Sequence, residues 1–179
     1  MRLLTTGIAL ALVTVSGGGA AAEPETGPVI EDFGPVYPVA GAKLGAPEAG
    51  VLRALFDVAW APADPAAPNP RITSVARYLN MHVGAGVPAD RLAAALVLHG
   101  DASRAVLDDD AYWERFDTVN PDRLLLESLA EAGVPIYLCG QTAGFRRYAP
   151  EEIAGPVQLA LSAMTAVVRL QDEGYRLIP

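Results

Sequence analysis

Cys139 is the residue of this 179-residue chain best suited to covalent chemistry, and it is the only cysteine. The segment after it is small and polar and then becomes basic: Gly140, Gln141, Thr142, Ala143, Gly144, Phe145, Arg146 and Arg147. This pattern predicts a tight turn into a helix, with Gln141 or Thr142 as a capping residue. Unpaired N–H groups and the helix dipole favour a thiolate there, and arginines add positive charge. The pattern indicates a nucleophilic thiol; the alternative is a small buried side chain ending a core strand.

His99 is the second candidate for chemistry. It follows the apolar segment 92–98, whose sequence LAAALVL is typical of a strand buried on both faces of a parallel sheet. Its imidazole is a candidate base or proton carrier, and the alternative is a core or capping histidine. His82 lies late in a predicted helix, so we expect it away from Cys139, on the surface or at an interface.

A repeated helix–strand pattern gives His99 and Cys139 equivalent positions. Each unit has an Asn-Pro helix start, an apolar helix, an Ala-Gly-Val-Pro turn and an apolar strand: Asn69-Pro70 with strand 92–98, then Asn120-Pro121 with strand 134–138. His99 follows the first strand and Cys139 the second. Because ligands bind at the carboxyl ends of parallel strands, we expect both side chains at one edge of the sheet.

The remaining segments complete an alternating pattern of strands and helices. Residues 51–60, 157–161 and 175–178 read as strands, the last one at a sheet edge, and Ser162 is the predicted N-cap of a helix over 163–173. The predicted fold class is therefore α/β, a single domain with an open, mainly parallel sheet of about five strands and helices on both faces.

The sequence contains no convincing cofactor motif. The acidic run Asp108-Asp109-Asp110 is interpreted as a solvated turn rather than a calcium site. Residues 84–89 resemble a dinucleotide-binding glycine pattern, but they follow a helix and precede a strand, which is the reverse of the required order. Phosphate-loop, zinc-protease, hydrolase-elbow and C-x-x-C motifs are absent from the sequence. We therefore expect neither a cofactor nor a resident metal.

The N-terminal residues have the composition of an export signal. An arginine and an apolar stretch precede small residues that end in Ala20-Ala21-Ala22, which predicts a signal peptide over 1–22 and a mature protein in a periplasm. The net charge of −8 disfavours nucleic acid as a partner, and we expect no membrane attachment after cleavage. Residues 23–50 are rich in proline and glycine and predict an extended arm that packs on the domain formed by 51–179, or on a neighbouring subunit.

Three sequence segments resemble the DsrE/DsrF-like family, over roughly residues 50–179. They are Val75-Ala76-Arg77-Tyr78-Leu79-Asn80, Val97-Leu98-His99-Gly100 and Ile136-Tyr137-Leu138-Cys139-Gly140-Gln141-Thr142-Ala143. The resemblance is closest to an exported branch with a C-G-Q turn. It implies an α/β domain that assembles as a homotrimer or hexamer, and a cysteine, here Cys139, that carries sulfane sulfur as a persulfide. Arg146 matches an arginine of the family, whereas Arg147 stands where the family has glycine.

These observations predict an exported sulfur-handling protein in which Cys139 accepts and passes on sulfane sulfur. We expect His99 to assist, and Gly140, Gln141, Thr142 and Arg146 to bind the substrate, with Arg146 favouring an anionic donor. Two alternatives remain open. One is a module that binds a soft metal or small ligand at the edge formed by His99 and Cys139. The other is a structural oligomer with an inert cysteine.

Overall fold

The computed structural model describes residues 23–178. The strands of these residues are β1 (Leu52–Val58), β2 (Leu92–Leu98), β3 (Ile136–Cys139), β4 (Val157–Ala160) and β5 (Arg176–Ile178). The α-helices are α1 (Pro70–Gly84), α2 (Asp109–Phe116), α3 (Arg123–Glu131), α4 (Gly140–Arg146) and α5 (Ala163–Asp172). Short 3₁₀ helices span Ala89–Arg91, Gly100–Val106 and Pro150–Glu152.

The sheet is parallel throughout and has the strand order β4-β3-β2-β1-β5. Strands β1 to β4 are adjacent in chain order, and β5 pairs with the other edge of β1. Because crossover connections are right-handed, this reversal places α5 on the face opposite α1 and α3. Phe56 and Leu96 pack in the core with α1 and α3, whereas Leu55, Ala95 and Val97 pack against α5. The predicted fold class is confirmed.

Local signals in the sequence explain where the helices begin. Asn69 caps α1 by accepting a hydrogen bond from the N–H of Arg71, and Pro70 occupies the first turn. Ser162 caps α5 in the same way by accepting from the N–H of Thr165 at 3.0 Å. In β2 the residues from Ala94 to Leu98 are buried, which is why this strand lacks an alternating polar pattern.

The first strand is shorter than the predicted segment 51–60. β1 ends at Val58, and Trp60, which the strand pattern places with the inward residues, is 50% exposed. The pairing between β1 and β2 ends here because the chain turns after β2. The N–H of His99 still donates to the carbonyl of Val58, but the carbonyl of Ala59 accepts from the N–H of Ala102 in the following 3₁₀ helix.

Residues 100–123 differ most from the sequence prediction. The acidic run is the start of α2 rather than a solvated turn, because the Asp108 carboxylate accepts a hydrogen bond from the N–H of Ala111 at 2.8 Å. The helix expected at Asn120-Pro121 begins at Arg123 instead. Asn120 accepts from the N–H of Asp122, and its amide donates to the carbonyls of Ala105 and Leu107, so this residue joins two loops before the helix begins.

Residues 29–35 of the segment 23–50 pack on α1. Asn80 of α1 is fully buried and binds the arm's backbone through both ends of its amide: Oδ1 accepts from the N–H groups of Val29 and Ile30, and Nδ2 donates to the carbonyls of Ile30, Phe33 and Gly34. The side chain of Ile30 is buried in the core formed by β1, β2, α1 and α3, whereas Tyr37 is exposed.

The predicted signal peptide over residues 1–22 lies outside the described residues. Within 23–178, none of the helices has the length and apolar character needed to cross a membrane.

Candidate functional site

The carboxyl ends of three neighbouring strands bring together Asp57, His99 and Cys139. Asp57 is the penultimate residue of β1, His99 directly follows β2, and Cys139 ends β3. Side chains alternate between the faces of a strand, so Asp57 shares a face with Leu55, and His99 shares one with Val97. Leu55, Val97 and Cys139 belong to one buried cluster under α5. All three polar side chains therefore lie on the α5 face of the sheet.

These side chains line a cleft of about 260 Å³ between the sheet edge and α5. We call it the Cys139 cleft; its lining residues are Asp57, His99, Cys139, Gln141, Ser162, Ala163, Met164 and Val167. Asp57, His99 and Cys139 are the titratable members of this set. The first turns of α5 supply an apolar wall, so the cleft combines a polar floor with an apolar side.

Cys139 is buried, with 6% of its surface exposed, and it lines the cleft. Burial alone raises the pKa of the thiol, but the hydroxyl of Thr142 and the N–H groups of Thr142, Ala163 and Gln141 outweigh it and hold the pKa of Cys139 below its ordinary value of 9.0. Cys139 is the N-cap residue of α4, and Ala163 is the first residue of α5. The sulfur therefore faces the N-terminal ends of two helices, where backbone donors favour negative charge.

His99 lies against Asp57. Its Nε2 atom is 3.1 Å from Oδ1 of Asp57, and the two side chains are 29% and 31% exposed. Oδ1 itself is shielded from solvent, and within residues 23–178 it has no aligned hydrogen-bond donor. The imidazole and the carboxylate are therefore in close contact, but their geometry is not that of a hydrogen bond.

The three residues after Cys139 hold the loop in different ways. Gly140 permits close approach to β4, since a Cβ there would lie 2.6 Å from the carbonyl oxygen of Ala160. The Gln141 amide donates to the carbonyl of Leu161 at 3.3 Å and lines the cleft. Thr142 accepts from the N–H of Gly100 at 3.3 Å, which ties the loop after β2 to the loop after β3.

Arg146, predicted to bind substrate, lies in a different cleft. It forms an ion pair with Asp101, and both line a second cleft of about 480 Å³ together with Trp60, Arg104, Phe116 and Tyr148, among others. Arg146 is not among the residues that line the Cys139 cleft. Arg147 ends α4 in the left-handed conformation, with φ of 56°.

Four residues that line the cleft are not predicted from the sequence, namely Asp57, Ala163, Met164 and Val167, and Ser162 is predicted only as a helix cap. A signal for Asp57 existed, because it is the single charged residue in the otherwise apolar segment 54–60. Its pairing with His99 depends on the register between β1 and β2, in which Asp57 lies opposite Val97. Ala163 acts through its backbone N–H, so its side-chain type carries no information.

His82 lies outside the Cys139 cleft. Its Nδ1 atom is 2.8 Å from the carbonyl of Tyr78, and its ring lies 4.5 Å from the Tyr78 ring. Within residues 23–178, no group of three or more His, Cys, Asp or Glu side chains is arranged to hold a metal ion.

The family of the chain follows from its sequence. Residues 60–179 match the DsrE/DsrF-like family. The chain belongs to this family. DsrE/DsrF-like proteins are associated with sulfur relay.

A solved structure from Methanobacterium thermoautotrophicum, that of MTH1491, a protein of unknown function, is similar to this chain. The TM-score is 0.50 at 17% sequence identity, and the match covers 71% of this chain and 97% of that chain. At this identity the similarity concerns the fold alone. No curated protein matches the chain.

Proposed function

We propose that this DsrE/DsrF-like protein carries sulfane sulfur on Cys139. The observation that carries the proposal is the position of Cys139, which ends β3, directly precedes α4 and lines the cleft together with Ala163 at the start of α5. In this position the Thr142 hydroxyl and nearby backbone N–H groups lower the pKa of the thiol against the opposing effect of burial. A thiolate is the nucleophilic form of cysteine. The family's association with sulfur relay supports the same function.

The proposed reaction has two transfers. The Cys139 thiolate attacks the outer sulfur of a sulfane donor, a new S–S bond forms, and the donor's S–S bond breaks as its leaving group departs with the electron pair. An acceptor thiolate then attacks the outer sulfur of the Cys139 persulfide, and Cys139 leaves as a thiolate. The backbone donors that stabilise the thiolate also stabilise Cys139 as the leaving group, so one environment serves both steps.

The charges of the cleft bear on the donor. The sequence predicts that Arg146 attracts an anionic donor, but this arginine is paired with Asp101 in the second cleft. The Cys139 cleft instead contains the carboxylate of Asp57 and the apolar side chains of Met164 and Val167. These residues favour a donor with an uncharged or apolar group beside its sulfur over a small dianion such as thiosulfate.

Mass spectrometry of the intact protein tests the proposal. After incubation with glutathione persulfide, we expect the wild-type protein to gain the mass of one sulfur atom and to lose it again when a thiol acceptor is added. We expect the Cys139→Ser variant to gain no mass. An unmodified wild-type protein, or equal modification of the variant, contradicts the proposal. A metal retained in native spectra would favour the soft-metal alternative instead.

Export and self-association belong to the same proposal. We expect the signal-like residues 1–22 to be removed in a periplasm, so that the mature chain begins at Glu23. Exposed apolar side chains lie on β4, directly after it, on α4 and at the start of α5: Leu159, Leu161, Phe145 and Met164. Such residues support a homotrimer or hexamer, as the family resemblance implies. N-terminal sequencing and sedimentation of the exported protein test these two points.

A further inference from the structure

Asp57 has no part in the carrier reaction described above, although it lines the same cleft. We propose that Asp57 is a positioning residue, which holds the imidazole of His99 so that His99 protonates the thiolate that leaves when sulfur is transferred to Cys139. This inference rests on the proposed function. It assigns a new residue to the site and a specific proton to His99.

The first support is the unusual state of the Asp57 carboxylate. Oδ1 is shielded from solvent, and among the described residues it lacks an aligned hydrogen bond, while Nε2 of His99 lies 3.1 Å away. A carboxylate oxygen removed from water is unfavourable unless a donor compensates it. An imidazole N–H directed at Oδ1 would supply that donor, and such hydrogen bonds often tighten only when substrate is bound.

The second support is that the backbone fixes where the His99 ring can lie. The N–H of His99 donates to the carbonyl of Val58 at 3.1 Å, so the residue is tied to the end of β1, one position after Asp57. With Nε2 directed at Asp57, Nδ1 is the ring nitrogen left for a molecule in the cleft. The carboxylate thus selects which nitrogen carries the structural proton and which one exchanges a proton with substrate.

The third support is the position of both groups relative to the sulfur. Asp57, His99 and Cys139 come from the ends of three adjacent strands and line one cleft. Gln141, Ser162, Ala163, Met164 and Val167 complete its lining, and none of them titrates. Within this lining, His99 is therefore the group able to deliver a proton to a leaving sulfur.

The proton balance of the transfer closes for a donor R–S–SH. The Cys139 thiolate forms a bond to the outer sulfur, and R–S⁻ departs with the electrons of the broken S–S bond. The imidazolium of His99 gives its Nδ1 proton to R–S⁻, which yields R–SH. His99 remains neutral with its other proton on Nε2, facing Asp57, and the product is Cys139–S–SH. No oxidant or reductant is needed.

Leaving-group dependence separates this role from a structural one. A basic alkyl thiolate gains much from protonation as it leaves, whereas a nitrothiobenzoate anion is stable without a proton. We expect His99→Gln to slow sulfur transfer from glutathione persulfide by about 10²-fold, the low end for lost general acid catalysis. We expect Asp57→Asn to slow it as well. Neither variant should react more slowly than wild type with dithiobis(nitrobenzoate).

Controls make each outcome informative. Asp172→Asn removes a carboxylate from the exposed end of α5 and should leave both reactions unchanged. A variant with both Asp57→Asn and His99→Gln should take sulfur from glutathione persulfide no more slowly than His99→Gln alone, because Asp57 acts through His99. If Asp57→Asn does not fold, the leaving-group dependence of His99→Gln still decides the proton's source.

Three results would overturn the inference. If both variants react at the wild-type rate with both reagents, the pair has no role in the transfer, while the carrier function stands. Equal slowing with both reagents indicates a structural effect on Cys139. A wild-type protein that reacts with the disulfide but takes no sulfur from glutathione persulfide overturns the proposed function itself, and this role with it.

Discussion

At the scale of single residues, Thr142 is the side chain that most favours the Cys139 thiolate. Its hydroxyl faces the sulfur and lowers the pKa of Cys139, and its oxygen accepts from the N–H of Gly100. Thr142→Val keeps the shape but removes this donor. We expect the pKa of Cys139 to rise toward its ordinary value, because the thiolate loses a hydrogen bond while burial still opposes its charge.

Alkylation of Cys139 by iodoacetamide as a function of pH measures this change. Near neutral pH the Thr142→Val variant should react more slowly, since less of its thiol is ionised. Well above pH 9.0, the ordinary cysteine pKa, the two rates should converge because both proteins are fully thiolate. Thr118→Val, outside both clefts, serves as the control. Rates that differ equally at every pH would indicate altered access to the sulfur and not an altered pKa.

Which site residues the sequence reveals depends on how local their signal is. Cys139 stands out because it is the only cysteine and a glycine-containing turn follows it. His99 follows from its place after an apolar strand. Asp57 carries only the signal of a charge within an apolar strand, and the pairings of Asp57 and Asp101 carry none. Their partners His99 and Arg146 are distant in sequence and meet them only through strand register and loop packing. For this reason the sequence does not reveal that Arg146 lies in the second cleft.

At the scale of elements, the junction of β3 and α4 depends on the absence of a side chain at Gly140. A Cβ there would lie 2.6 Å from the carbonyl oxygen of Ala160 and 3.2 Å from that of Leu161, and neither backbone atom can move aside easily. We expect Gly140→Ala to force α4 away from β4, to lower the free energy of unfolding by about 1–3 kcal/mol, and to slow alkylation of Cys139.

Gly144→Ala is the matched control in the same helix. A Cβ at Gly144 meets nothing within 4 Å, so the substitution should stabilise the protein by about 0.5–1 kcal/mol through the better helix propensity of alanine. Urea unfolding monitored by circular dichroism compares the two variants. If Gly140→Ala proves as stable as Gly144→Ala, close packing at this junction is not what requires the glycine.

Elements with strong local patterns could be predicted, and those formed by tertiary contacts could not. α1 and α5 have capping residues and apolar positions at helical spacing, and β2 is a continuous apolar run. By contrast, α2 is an eight-residue helix that begins with aspartates and is anchored through Ala111 and Tyr112 to a small cluster with Leu107. A short acidic segment resembles a turn until that cluster is known.

At the scale of the whole molecule, the arm and the domain form one packed body through α1. The composition of 23–50 predicts an extended segment, but it does not tell where the segment lies, because prolines and glycines fix backbone shape and not contacts. The decisive residue is Asn80, a polar side chain on the buried face of a helix. A buried asparagine requires hydrogen-bond partners, and the backbone of the arm provides five of them.

Gly34 tests how the arm is held. It has φ of +67°, and a Cβ there would lie 2.4 Å from the backbone nitrogen of Arg77 in α1. We expect Gly34→Ala to release the arm from α1 and expose Ile30, with a loss of about 1.5–3 kcal/mol in the free energy of unfolding. Hydrogen exchange at the N–H groups of Val29 and Ile30 should accelerate, since both donate to Asn80.

Gly45→Ala is the control for this change, because a Cβ at Gly45 meets nothing within 4 Å. Asn80→Ala should give the same hydrogen-exchange pattern as Gly34→Ala, because it removes the hydrogen-bond partner of the arm instead of disturbing the close approach of Gly34 to α1. Alkylation of Cys139 should stay at the wild-type rate in all three variants, because the arm packs on the α1 face and the Cys139 cleft lies on the α5 face. Unchanged hydrogen exchange at Val29 and Ile30 in Gly34→Ala would show that the arm tolerates a side chain against α1. A loss of Cys139 reactivity would show that the two faces are coupled through the sheet.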